Sequence, residues 1–261
     1  MEMTMDGHPP RTLHVTIGSL PAAEGAPGGQ VVVFHDVTRL KQFENTRREF
    51  VANVSHELRT PLSIISGFVE TLLAGAVDNP DTARRFLAMV KRHGDRLADL
   101  VEDLLALSRL ESGRVEFVLQ PAGLRDIADT VLCDMESRAR ARQVTLVNQV
   151  PAELEANADP SRLEQVLLNL VDNAIRHGRQ GGRVAVGGMQ LPNGWSQLWV
   201  EDDGPGIPES ARERVFERFY RLDTARARET GGTGLGLSIV KHIVQRHGGE
   251  VWVQKGESQG C

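Results

Sequence analysis

Apolar residues return at intervals of three and four from about Val37 onward. Val51, Val54, Leu58, Ile65, Phe68 and Leu72 fall on one stripe, with Pro61 filling the missing seam position. That spacing predicts a long amphipathic helix. The turn-rich AGAVDNPD breaks it, and Asp81 opens a second helix running to about Ser112. The second stripe is Val90, His93, Leu97, Leu100, Leu104 and Leu107. Two long helices with a short connection form an antiparallel hairpin. One hairpin has too little partner surface to cover its stripe, so two copies are expected to pair as a four-helix bundle, making a homodimer.

The flanks read differently. Upstream, LHVTIGSL and QVVVFHDV look like strands separated by PAAEGAPGG. Two strands alone make no stable core, so residues 1–38 are expected to be the end of a domain. Downstream of Gly113, VEFVLQP and VTLVNQV look like strands, and Leu124–Arg142 and Ser161–His177 like helices. GRVAVGGMQ and WSQLWVED form a β-hairpin through LPNG, and a last helix Leu235–His247 leads into EVWVQ as a strand. Strands and helices without strict βαβ alternation imply an α/β sandwich. The fold class is therefore α+β and multidomain, with boundaries at 1–38, 39–113 and 114–261.

Composition narrows the function. The balance of 40% hydrophobic and 25% charged residues is that of an ordinary globular chain. A net charge of −5 gives no electrostatic footprint for nucleic acid. Cys133 and Cys261 suggest neither a disulfide framework nor a zinc site, which fits a reducing compartment. No apolar run reaches the roughly 18 residues of a membrane span, and Met1 opens no secretory signal. A cytoplasmic location is expected, as the cytoplasmic part of a protein anchored in a membrane upstream.

Candidate chemistry begins in FVANVSHELRTPL. His56 is two residues from both Val54 and Leu58, so at about 100° per residue it points away from the apolar seam toward water. An exposed imidazole is a usable nucleophile near neutral pH. Glu57 beside it can accept the proton released on attack. Thr60, at i+4, shares its face and can hold a water near a phosphorylated ring. Pro61 leaves the Glu57 carbonyl without its helical donor, so a bend is expected beside the acceptor. A lone surface histidine is usually only solvated; the setting in His-Glu-x-x-Thr-Pro on an amphipathic hairpin changes that balance. His93, inside the seam, reads as a packing residue.

Three further segments suggest a nucleotide pocket. Helix Ser161–His177 follows Asp159-Pro160, a capping residue and a first-turn proline. Its apolar face carries Leu163, Val166, Leu167, Leu170, Val171 and Ala174, and the opposite face Gln165, Asn169, Asp172, Asn173, Arg176 and His177. Amide oxygens of asparagine are hard ligands suited to Mg²⁺, and Arg176 can meet phosphate. Alone, this would be a solvated polar face. In VEDDGPGIP, Asp202 at a strand end can accept a hydrogen bond from an amino group such as that of adenine, and Gly204 and Gly206 let backbone approach a flat ring. In GGTGLGLSIVKHIV, Gly232, Thr233, Gly234, Leu235 and Gly236 lead into a helix whose N–H groups can cradle phosphates. Between the last two, Phe216, Phe219 and Tyr220 can anchor a lid whose arginine-rich remainder closes over phosphates. A Walker P-loop is absent from the sequence, and a Rossmann unit lacks its second βαβ half.

Together these segments resemble the motif set of bacterial sensor histidine kinases. SHELRTPL is similar to the H box, NLVDNAIRH to the N box, DDGPGIP to G1, FERFYR to the F box and GGTGLGLSIVK to G2, in the family's order. Residues 1–38 resemble the tail of a PAS sensor domain. ETLLAGAVDNPDTARRFLAMV and DLLALSRLESG look closest to phosphate-regulon sensor kinases. The resemblance implies autophosphorylation of His56 from ATP, transfer to an aspartate of a response regulator, and a GHKL-type ATP-binding domain. It makes Glu57 the acid/base partner, Thr60 the phosphatase residue, Asn173 the Mg²⁺ ligand and Asp202 the adenine acceptor. Asn169 and Arg176 would lie near the phosphates, and the glycines would shape the nucleotide loops. Departures are His177, where relatives often carry tyrosine, Asp203, where asparagine is common, and an end at SQGC about where the last strand would begin. Other readings stay open on the residues: a chaperone- or repair-type ATPase without phosphohistidine, a dedicated phosphatase, or a dimerising scaffold that binds no nucleotide.

Overall fold

The computed structural model describes residues 2–5, 7, 10–20, 29–113, 116–222 and 232–256. The chain divides into two compact units, Met1–Arg59 and Thr60–Cys261.

In the first unit, β1 (Glu2–Met5), β2 (Arg11–Leu20) and β3 (Gly29–Asp36) form an antiparallel sheet in the order β1-β2-β3. The alternation along the sequence predicts only the last two of these strands. Helix α1 (Thr38–Leu73) starts here, where the Asp36 carboxylate accepts from the Thr38 N–H at 3.0 Å and from its hydroxyl at 2.6 Å. The turn 21–28 lies outside the described residues.

The second unit begins within α1. The chain turns at Gly75, whose φ of 113° suits glycine, and re-enters α2 (Pro80–Glu111). Asn79 caps α2 by accepting from the Thr82 N–H at 3.0 Å, with Pro80 in the first turn. Phe68 meets Phe86 across the hairpin at 5.1 Å between ring centroids.

Beyond the hairpin, β4 (Gln120–Gly123) pairs antiparallel with β6 (Glu155–Ala158). A second sheet has the order β5-β7-β8, from β5 (Thr145–Gln149), β7 (Arg183–Gln190) and β8 (Ser196–Asp202); β5 runs parallel to β7, and β8 antiparallel. Helices α3 (Leu124–Ala141) and α4 (Pro160–His177) pack on this sheet, and α5 (Gly236–Arg246) packs on α4. Val131 and Met135 of α3, Leu167 and Val171 of α4, and Val184 and Val186 of β7 lie in the buried core. This is the expected α/β sandwich.

Two expected strands differ. Among the described residues of VEFVLQP, only Gln120 and Pro121 enter a strand. Ahead of them the Val118 N–H donates to the Asp159 carboxylate at 3.1 Å, and Phe117 stacks edge-on to His247 at 5.0 Å, so this segment is anchored by side chains rather than by a ladder. EVWVQ carries no strand; β8 pairs with β7 alone among the described residues.

Candidate functional site

The acceptor segment lies on α1. His56 and Thr60 are exposed one helical turn apart and Glu57 is half-buried. Pro61 is buried and α1 runs on through it without interruption.

The expected nucleotide pocket is built around α4. Its start is fixed by Asp159, which accepts from the Ser161 hydroxyl at 2.7 Å and the Arg162 N–H at 3.2 Å. Burial pushes the Asp159 carboxyl up, but these donors and the Val118 N–H outweigh it and hold the group below its ordinary 3.8. Leu167, Val171, Ala174 and Ile175 are buried in the core, which leaves the polar residues of the opposite face open to the cleft. Asn169, Asn173, Arg176 and His177 all line it.

The glycine loop faces them. The Asn169 side-chain amide donates to the Gly236 carbonyl at 3.3 Å. A Cβ on Gly232 would sit 3.9 Å from the Arg176 guanidinium. Gly232, Thr233, Gly234 and Gly236 line the same cleft, as do Asp202 and Gly206. Its volume of about 2540 Å³ exceeds the roughly 300–1,000 Å³ of ordinary ligand pockets, because it continues past Trp195 and Trp199 along the sheet. The expected nucleotide end is therefore marked by these facing residues rather than by the cavity's outline.

Two expected site residues do not line the cleft. Leu235 is 0% exposed and packs inward. Gly204 donates its N–H to Asp202 at 2.8 Å, and a Cβ there would come within 2.7 Å of the His177 carbonyl. Backbone crowding by itself requires glycine at that position. Phe216 is buried as the expected anchor. Phe219 adopts a left-handed φ of 61° and donates its N–H to the Gly234 carbonyl at 2.8 Å, which ties the F box to the G2 loop. The arginine-rich part of the expected lid, 223–231, lies outside the described residues.

Several supporting residues are not apparent from the sequence pattern. Asp172 bridges Arg138 and Arg176, each at 2.7 Å, and so fixes the predicted phosphate contact. The i+4 spacing of Asp172 and Arg176 is the available signal. Arg142 donates to the carbonyls of Ile175 and Arg176 at the C-terminal end of α4, where carbonyls otherwise lack partners. Asp203 accepts from the Arg179 N–H at 3.2 Å and the Arg183 N–H at 3.1 Å. Its carboxylate is thus a staple between two loops. The His177 ring keeps a surface open to the cleft. Even so, desolvation first, then the charges of Arg176, Arg221 and Arg142, push it below its ordinary 6.5 and leave it neutral at pH 7.

Residues 46–113 match the His Kinase A (phospho-acceptor) domain, and residues 158–261 the histidine kinase-, DNA gyrase B- and HSP90-like ATPase. The sensor histidine kinase WalK of Bacillus subtilis is 37% identical over 250 residues, covering 95% of this chain and 41% of WalK. The chain thus spans less than half the length of that relative. Full-length ShkA, crystallised with AMPPNP, is 31% identical with a TM-score of 0.56, over 80% of this chain and 43% of ShkA. ThkA, crystallised with the response regulator TrrA, shares the fold at a TM-score of 0.65 and 24% identity, over 98% of this chain and 75% of ThkA. The wording that pointed to phosphate-regulon kinases finds no support in these relatives, which carry the WalK name. The chain therefore carries a His Kinase A phospho-acceptor domain followed by a histidine kinase-type ATPase domain, and over nearly its whole length it is similar to sensor histidine kinases.

Proposed function

We propose that this chain phosphorylates its own His56 from ATP and passes the phosphoryl group to an aspartate of a response regulator. The observation that carries this reading is that the N-box helix, the end of β8 and the G2 loop line one cleft, in a chain that also exposes His56 on α1. On this reading Asp202 accepts from the adenine amino group, and Arg176, held by Asp172, meets the phosphates with the N–H groups at the start of α5. An imidazole nitrogen of His56 bonds to the γ-phosphorus as the bond to the β,γ-bridging oxygen breaks. ADP leaves, and Glu57 takes the imidazole proton. Thr60 positions a water for the separate hydrolytic reaction, in which the phosphoryl group leaves as inorganic phosphate.

Mg²⁺ fits the same cleft. The half-buried amide of Asn173 supplies a hard oxygen, and this cation takes few protein ligands when phosphates are present. When bound it supplies charge neutralisation at the transferring phosphoryl group. Asn169, tied to Gly236, keeps the N-box helix and the glycine loop in register around it.

The organisation we propose is a PAS-like segment over 1–38, a dimerising hairpin over 39–113 and the ATP-binding domain over 114–261. The partners are a second copy and a response regulator, in the way that ThkA forms a complex with TrrA. No helix among the described residues is long and apolar enough to cross a membrane, and we place the chain on the cytoplasmic side of a longer sensor. Incubation with γ-labelled ATP should give acid-labile phosphate on the wild type and none on His56→Gln. Label persisting on that variant would overturn the assignment. Asp202→Ala should lose ATP binding while still accepting phosphate in a mixed dimer with His56→Gln.

A further inference from the structure

Helix α2 contacts the ATP-binding domain at both flanks of the segment 219–232. The Thr233 hydroxyl donates to the Asp103 carboxylate at 2.6 Å and itself accepts from the Leu235 N–H at 3.2 Å, just ahead of α5. Eight residues along α2, Glu111 accepts from Arg218 of the F box, and His242 Nε2 of α5 lies 3.6 Å from the same carboxylate. Asp103, Leu107 and Glu111 follow at intervals of four, so they share one face of α2. Leu107 is 1% exposed and Leu110 4%, and α2 packs against α5. This is a seated contact with an apolar centre and a polar grip at each end.

Its charge is unusual for its place. Asp99, Glu102 and Asp103 of α2 line the same cleft as Asn169, Arg176 and Gly234. Burial pushes the Asp103 carboxyl above its ordinary 3.8 and Asp99 adds to that, against the hydrogen bond from Thr233. Nucleotide phosphates stay anionic even with one divalent cation, and like charges in a partly dry cleft repel more strongly than in water.

We propose that α2 is a brake on nucleotide binding: docked through Asp103, Leu107 and Glu111, it holds the Asp103 carboxylate against the glycine loop at the phosphate end of the cleft. Docking of α2 and binding of a nucleoside di- or triphosphate are therefore antagonistic. Coupling is reciprocal, so the nucleotide that feels the brake also loosens it. The loaded ATP-binding domain is then the one released to move. This rests on the reading of the cleft as the ATP site.

Calorimetry on the whole chain tests it, with Mg²⁺ and either AMPPNP or adenosine as probe. Asp103→Ala with Glu111→Ala should bind AMPPNP about 5- to 20-fold tighter than wild type, within the usual range of coupling between sites. Adenosine, which has no phosphates, should bind all variants alike. Asp103→Asn keeps an oxygen for Thr233 while removing the charge, and should by itself tighten AMPPNP binding. Hydrogen exchange in residues 97–111 of the wild type should rise when AMPPNP is added. Unchanged or weaker AMPPNP binding by the double variant, or an equal gain for adenosine, overturns the brake. Failure of every variant and the wild type to bind AMPPNP instead removes the ATP-site reading, and the brake with it.

Discussion

Asp203 and Gly204 show how tightly the G1 box is fitted. Asp203 holds two N–H groups from the loop after α4, and Gly182 leaves room for it, since a Cβ there would lie 2.2 Å from its carboxylate. Removing the carboxylate frees two donors on a partly exposed surface. Asp203→Ala should therefore cost about 1 kcal/mol of stability, read as a lower midpoint in urea unfolding. Gly204 is fixed by the His177 carbonyl and by Asp202 itself. Gly204→Ala should displace Asp202 and weaken adenosine binding about tenfold or more, while Asn169 and Arg176, the proposed phosphate contacts, stay in place. Adenosine affinity unchanged in this variant would mean that Asp202 is not the base acceptor.

Elements with strong local signals are legible in the sequence. The start of α4 is written in Asp159-Pro160, and the β7–β8 hairpin in its alternation around LPNG. What escapes is set by partners far along the chain: β6 is four residues long and exists through its pairing with β4, while 116–119 gives its backbone to Asp159. The end of α3 is invisible for another reason. Gln143 adopts φ 59° and donates to the Arg140 carbonyl, and Val144 reaches back to Ala139, a left-handed helix stop normally given to glycine. Gln143→Gly should stabilise the domain by about 1 kcal/mol, seen as a higher urea midpoint. In α2, His93 has a buried Nδ1 with no hydrogen-bond partner among the described residues. Burial, then the charges of Arg92 and Arg96, lower its pKa below the ordinary 6.5. A histidine depressed in the folded state contributes stability that is present above 6.5 and is lost as pH falls below it toward the folded value. His93→Leu should shrink the stability lost between pH 7.5 and 5.5, measured by urea unfolding at both.

At the scale of the whole chain, the motif order identifies the family, but the apolar stripe of α2 conceals two jobs. Heptad spacing assigns Leu100 and Leu107 to a seam between copies, yet both are buried within a single chain. Asp103 and Glu111 read as solvated charges because their partners, Thr233 and Arg218, lie over a hundred residues away in sequence. The side chains of α2 still open to a second copy are others: Val101 is 46% exposed and Leu105 52%. In a two-fold dimer each such residue counts twice, and burying one Val or Leu side chain is worth about 1.5–3 kcal/mol. Leu105→Lys should therefore raise the dimer dissociation constant by about a hundredfold or more, since about 1.4 kcal/mol is a factor of ten. Leu107→Ala should leave dimer dissociation nearly unchanged, while raising hydrogen exchange in α5 as its packing against α2 loosens. Sedimentation across a concentration series separates the two variants. Dissociation by Leu107→Ala with a stable Leu105→Lys dimer would return the seam to the heptad positions.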